Sequence, residues 1–130
     1  MKLIKTEEFV KMENPTPGNA YRPLILAGED NAKDMAGRFC LNEPGSETQF
    51  HWHDNETIRV VISGEGTHIT LTDAGEEVET AIKAGDLLYI PAGEKHRLVN
   101  RHVRFFEFFT HPPMTRYPPM PGYANAEESK

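Results

Sequence analysis

The sequence predicts an all-β domain, a sandwich or barrel of short strands, on three observations. Runs rich in β-branched and aromatic residues recur about nine times, each bounded by turn residues. Ten glycines and ten prolines in 130 residues supply the turns. No stretch repeats its apolar residues at the three-and-four spacing of an amphipathic helix. The length suits one domain. The only shift in composition follows residue 111, so residues 1–111 are expected to form the strand domain, with an N-terminal edge strand, and 112–130 a proline-rich tail.

Taken in order, Leu3-Ile4 and Phe9-Val10 make a short segment readable as an edge strand or a short helix. Asn14 to Asn19 holds two prolines and a glycine and reads as a turn. Leu24 to Ala27 and Arg38 to Leu41 are strands, the second ended by Glu43-Pro44-Gly45. Thr48 to His53 alternates in type up to the turn signal Asp54-Asn55. Ile58 to Ile62 is a β-branched strand closed by Ser63-Gly64, and Thr67 to Thr72 alternates again. Glu77 to Ile82 and Asp86 to Ile90 are separated by Ala84-Gly85, and Pro91-Ala92-Gly93 turns the chain. His96 to Val99 and Val103 to Phe109 are the last strands. Five prolines between Pro112 and Gly122 exclude a regular helix or a central strand there. Ala124 to Lys130 reads as a frayed terminus.

Composition excludes several classes. The single cysteine, Cys40, rules out an internal disulfide and a multi-cysteine zinc site, and reads as a small buried hydrophobe. A net charge of −6 argues against a nucleic-acid partner. No apolar run reaches the about 18 residues of a membrane span, and no secretion signal follows Met1. A cytoplasmic location is therefore expected.

Six histidines remain to be explained. His51 and His53, two apart on a strand, point to the same face, where two imidazoles can chelate one metal ion. The bland alternative is a pair of exposed or core histidines. Their setting favours the metal. Gly45, then five residues, then His51-Trp52-His53, with a later strand closed by Gly64, resembles the first motif of the cupin family. The second cupin motif matches at every fixed position: Gly85, Pro91, Gly93, His96 and Asn100. The resemblance implies a single cupin β-barrel (a double-stranded β-helix, or jelly roll). It also implies that His51, His53 and His96 meet inside the barrel around a divalent transition metal: Fe(II), Zn(II), Mn(II) or Ni(II). Val61, Leu98 and the aromatic strand Phe105 to Phe109 would line it.

One departure matters. The cupin pattern places a Glu ligand at the position that Thr57 fills here, and Glu56 falls one residue early. A one-residue shift turns a strand side chain to the other face. Either Glu56 reaches the metal as a fourth ligand, the turn at Asp54-Asn55 absorbing the shift, or three histidines suffice and water fills the open positions. Some cupin dioxygenases use three histidines.

Other residues are weighed alongside. Alternation puts Arg59 on one inward face with Thr57, Val61 and Ser63, as an anion clamp or a structural salt bridge. Gln49 would contact substrate or orient a ligand, or is an ordinary strand residue. Glu107 is a pocket carboxylate or an outer-face residue, and Tyr89 reads as core. His68 reads as strand surface, and His102 and His111 lie in a basic patch with Lys95, Arg97, Arg101 and Arg104.

The leading function is a metal-dependent enzyme acting on a small organic molecule that carries an anionic group, in one version a dioxygenase with a three-His site. The alternatives are a non-oxidative sugar or uronate isomerase, lyase or cyclase, and a non-catalytic metabolite-binding cupin. A homodimer is expected, formed through an edge strand or by a swap of residues 1 to 10.

Overall fold

The computed structural model describes residues 1–7, 19–25, 30–43, 48–110, 114–118 and 127–129. Phe9-Val10, Leu26-Ala27, Gly45 and His111 lie outside these residues, as does most of the proline-rich tail. Among the described residues the elements are nine strands: β1 (Asn19–Ile25), β2 (Ala36–Asn42), β3 (Trp52–His53), β4 (Thr57–Leu71), β5 (Glu77–Lys83), β6 (Leu87–Ile90), β7 (Lys95–Phe109), β8 (Met114–Arg116) and β9 (Glu127–Ser129). Residues 1–7 carry no strand. The all-β expectation is met, and no helix among the described residues is long and apolar enough to cross a membrane.

Six strands form one antiparallel sheet in the order β1-β2-β7-β4-β5, with β6 also on β4. A second sheet runs β3-β8-β9. An isolated bridge between His51 and His96 ties the residue just before β3 to β7 and so holds the two sheets together.

β4 and β7 are the spine. Each is 15 residues long and each unites two of the strands expected separately. The chain does not end its strand at Gly64. It passes through, with register irregularities at Val61/Ser63 and Glu65/Thr67. Such bulges bend a strand and let it serve two neighbours. The first half of β4 pairs with β6 and the second half with β5.

Alternation decides which residues face in. Thr57, Arg59 and Val61 on β4 are buried, opposite Phe109, Glu107 and Phe105 on β7. Cys40, Val61, Ile82, Leu98, Val103 and Phe105 form the interior cluster. Phe39 and Leu41 face the other way and pack with Leu24, Ile4 and Phe106. A third cluster joins Phe50, Ile69 and Val99. Tyr89, expected in the core, is instead 57% exposed, because Leu88 and Ile90 take the inward positions of β6.

The tail also differs from expectation. Met114–Arg116, the proline-free stretch between two proline pairs, is the middle strand of the small sheet. Its partners are Trp52–His53 on one edge and Glu127–Ser129 on the other. Prolines bar strand formation only at the residues that carry them and their ladder bonds, and three residues suffice here.

Gly64 shows why a glycine is required at the bulge. Its φ is +82°, and an added Cβ would lie 1.7 Å from the His102 carbonyl oxygen. Backbone, not a flexible side chain, fills that space. Gly64→Ala is expected to destabilise the protein by about 3 kcal/mol or more, measured by denaturant unfolding.

Candidate metal centre

His51 and His96 face each other as a reciprocal backbone pair: His51 N–H donates to His96 C=O (3.1 Å), and His96 N–H to His51 C=O (2.9 Å). Residues paired in this way place their side chains on one face. The His53 carbonyl accepts from Gly93 N–H (2.9 Å), so the turn after β6 fixes the third histidine. Leu98 N–H donates to Thr48 Oγ1 (2.8 Å) and pins the segment before β3.

The three rings converge. Their centroids are 4.4 Å (His51–His96), 5.1 Å (His51–His53) and 5.3 Å (His53–His96) apart. Each offers a ligand atom within 4.8 Å of the other two. The Nδ1 atoms are already engaged: His51 with Gln49 C=O (2.6 Å), His96 with Glu94 C=O (2.8 Å) and His53 with Thr115 Oγ1 (3.1 Å). The Nε2 atoms of His53 and His96 are buried without a partner. A buried orphan nitrogen is costly unless something binds it. Nδ1 held outward with Nε2 free inward is the arrangement of metal-binding imidazoles.

Electrostatics agree. Burial, then the charge of neighbouring His51, pushes His53 down to about 3. Burial lowers His51, and it lowers His96 well below the ordinary range. The rings are therefore neutral at pH 7, the form that ligates a metal. The donor set fits a divalent ion of the zinc, iron, manganese or nickel kind.

Glu56 is not brought to this group. Its side chain is exposed and accepts from the Tyr89 hydroxyl (2.6 Å). Thr57 takes the inward position instead, with its hydroxyl buried and unpartnered. Gln49 presents its carbonyl to His51 while its side chain is exposed.

Arg59 and Glu107 sit beside the histidines. A small cavity of ≈ 30 Å³ is lined by His51, His96, Arg59, Arg38, Thr48 and Glu107, among others. Glu107 is 1% exposed. It accepts from Arg38 Nε (2.8 Å) and Arg59 Nε (3.0 Å), and Arg59 Nη2 is also bonded to it. Burial alone would raise its carboxyl; the Arg59 and Arg38 guanidiniums outweigh that and hold it well below the carboxylate range. The Arg59 guanidinium lies over the Phe105 ring (4.4 Å), and its Nη1 is buried with no hydrogen-bond partner. Cys40 is fully buried and hydrogen-bonded to Glu107 (3.6 Å), with burial raising its thiol well above the usual value.

Three neighbours escape the sequence reading. His68, expected at the surface, is 5% exposed and stacks on His96 (5.4 Å, 18°). Uninterrupted alternation from Arg59 would place residues 67 and 69 inward; the bulge after Val61 reverses the faces. Arg38 enters through the β2–β7 register, and Thr115 through β8. Neither leaves a local signal. His102 is about half exposed, near Glu43 (3.4 Å).

A family profile described as "Cupin domain" matches residues 38–109. Acireductone dioxygenase 1 of Coprinopsis cinerea is 33% identical over 67 residues, which cover 48% of this chain and 38% of that protein. The chain therefore spans well under half of this relative. Among solved structures, the oxalate decarboxylase of Bacillus subtilis at pH 4.6 matches with a TM-score of 0.65 at 21% identity, over 79% of this chain and 28% of the other. The Lactobacillus farciminis oxalate decarboxylase formate complex matches with a TM-score of 0.64 at 24% identity, over 76% and 30%. These two likenesses are of fold.

Two expectations follow. An unfolded histidine titrates near 6.5, whereas His53 does so near 3 and His68 near 4 in the fold. Below pH 6.5 the unfolded chain binds more protons, so the metal-free protein should lose stability progressively between pH 6.5 and about 3, as denaturant melts across that range will measure. Glu107→Gln leaves two guanidiniums beside a neutral amide and should cost about 3–5 kcal/mol in the same assay at pH 7.

Proposed function

The chain belongs to the cupin domain family, and from that premise we propose that it is a mononuclear-metal enzyme acting on a small carboxylate-bearing molecule, with dioxygenase chemistry as the leading version. The observation that carries this reading is a group of three neutral histidines, two of which, His51 and His96, share a cavity with a buried arginine, Arg59, whose Nη1 has no partner. His51, His53 and His96 would hold the ion. When bound, the ion supplies a Lewis acid and, as Fe(II), the redox partner that oxygen chemistry needs.

Arg59 supplies the anion-binding group. Glu107 holds its Nε and Nη2, Phe105 supports its face, and Nη1 is left for a ligand. A guanidinium held in this way loses little freedom on binding a carboxylate. The cavity holds about two waters, which is room for a carboxylate and little else. Thr57 and Glu107 shape the interior behind it. The curated relative that is a dioxygenase favours the oxygen version. A homodimer forms part of the same proposal, supported by Ile58, Leu87 and Tyr89, exposed side by side on the outer face of β4 and β6.

Purified protein is expected to carry one metal ion per chain by elemental analysis. His51→Ala, His53→Ala and His96→Ala should each lose it, whereas Glu56→Gln should bind within about threefold of wild type. A loss of about a hundredfold or more in Glu56→Gln would make Glu56 a ligand. Oxygen uptake by the Fe(II)-loaded protein with a panel of small carboxylates should exceed that with their amides, and Arg59→Met should abolish the preference. Ligand turnover without oxygen uptake would turn the reading to an isomerase or lyase.

A further inference from the structure

The three histidines differ in one respect. His51 and His96 present Nδ1 to main-chain carbonyls. A carbonyl only accepts, so each of these rings must carry its proton on Nδ1 and keep Nε2 as a lone pair. His53 presents Nδ1 to a hydroxyl, Thr115 Oγ1, at 3.1 Å. A hydroxyl accepts or donates, so the geometry allows His53 both tautomers, and only the one protonated at Nδ1 can ligate through Nε2.

Thr115 lies outside both histidine motifs, 62 residues along the chain from His53. It reaches the site because β8 lies against β3, with Thr115 opposite His53 and Arg116 opposite Trp52. The strand is fastened beside the site: Arg116 Nε donates to Asp54 Oδ2 (2.7 Å), the Tyr117 ring lies 6.2 Å from His51, and Pro118 is buried.

We propose that Thr115 is a positioning residue for the metal centre, its hydroxyl accepting from His53 Nδ1–H and so selecting the tautomer that turns the Nε2 lone pair inward. This rests on the metal reading above. The C-terminal segment is then a working part of the centre, and His53 is the ligand whose availability depends on it. Thr115→Val keeps the shape and removes the hydroxyl. Thr115→Ser keeps the hydroxyl.

The test is zinc affinity by competition with a chromophoric chelator, together with the imidazole nitrogen NMR spectrum of the metal-free chain. Thr115→Val should weaken zinc binding about 10- to 100-fold, and Thr115→Ser should stay within about threefold of wild type. In metal-free wild type, all three histidines should appear mainly as Nδ1–H tautomers, and Thr115→Val should turn His53 into a mixture. Zinc should collapse that mixture to Nδ1–H. Unchanged zinc affinity in Thr115→Val, or equal losses in the Val and Ser variants, would overturn the proposal. So would a His53 spectrum that Thr115→Val leaves unaltered. A wild type that takes up no zinc would overturn the metal reading, and the metal-free spectrum would still decide whether Thr115 sets the tautomer.

Discussion

A single buried carboxylate constrains the three central strands. Arg38, Glu107 and Arg59 occupy one row across β2, β7 and β4, each opposite the next in register. Glu107 is tolerable at 1% exposure only because two guanidiniums reach it from either side. Slipping either neighbour by one residue would withdraw an arginine and turn its hydrophobic set to the wrong face. The row therefore specifies register where apolar alternation alone would leave alternatives. With it fixed, Phe105 and Phe109 fall inside, opposite Val61 and Thr57, and Phe106 and Phe108 fall outside. Burial of an ion pair adds little net stability as a rule. Its contribution here is the choice of one pairing among several.

The same row connects the fold to the site. Arg59 reaches the cavity with two of its nitrogens held by Glu107 and the third without a partner. The histidines are held by a separate device, the reciprocal backbone pair of His51 and His96. Side chains on a strand with one hydrogen-bonded edge can shift; these sit on chain segments bonded to each other and to the turn at Gly93. The charged row meets His51 and His96 at one cavity, from different parts of the chain. A barrel can assemble such a site because its inward positions come from every strand at once.

How much of this is legible in the sequence depends on how far apart the partners are. The strand class, the spacing of His51 and His53 and the glycine-bounded motif from Gly85 to Asn100 are local patterns, and local patterns survive without a structure. The inward face of Thr57, Arg59 and Val61 follows from alternation over five residues. Alternation fails past Val61, where one extra residue reverses the faces, and that is why His68 reads as surface although it is buried. Glu107 is ambiguous in the sequence because aromatic residues stand on both faces of its strand, and only the opposing arginines decide its side. Arg38 and Thr115 act on residues 69 and 62 positions away, and no spacing rule connects such pairs. Tyr89 reads as core on hydrophobicity, but its position on β6 points it outward, against Glu56.

The missing carboxylate at the cupin Glu position has an electrostatic consequence for the proposed function. With Thr57 inward and Glu56 drawn out to Tyr89, the proposed ligand set would be three neutral imidazoles, and a divalent ion held there would keep its full charge. Arg59 adds a positive charge on the same cavity, and Glu107 is already shared between two guanidiniums. Water can fill the open positions, but it balances none of this charge in a place of low dielectric. An anionic group can approach the ion and Arg59 Nη1 together and remove the imbalance. In a centre with a protein carboxylate ligand, that charge would already be met and the anion's advantage smaller. Under this reading the substrate completes the electrostatics of the site, which accounts for an arginine being kept buried with one nitrogen unused and links the three-His ligand set to the choice of substrate.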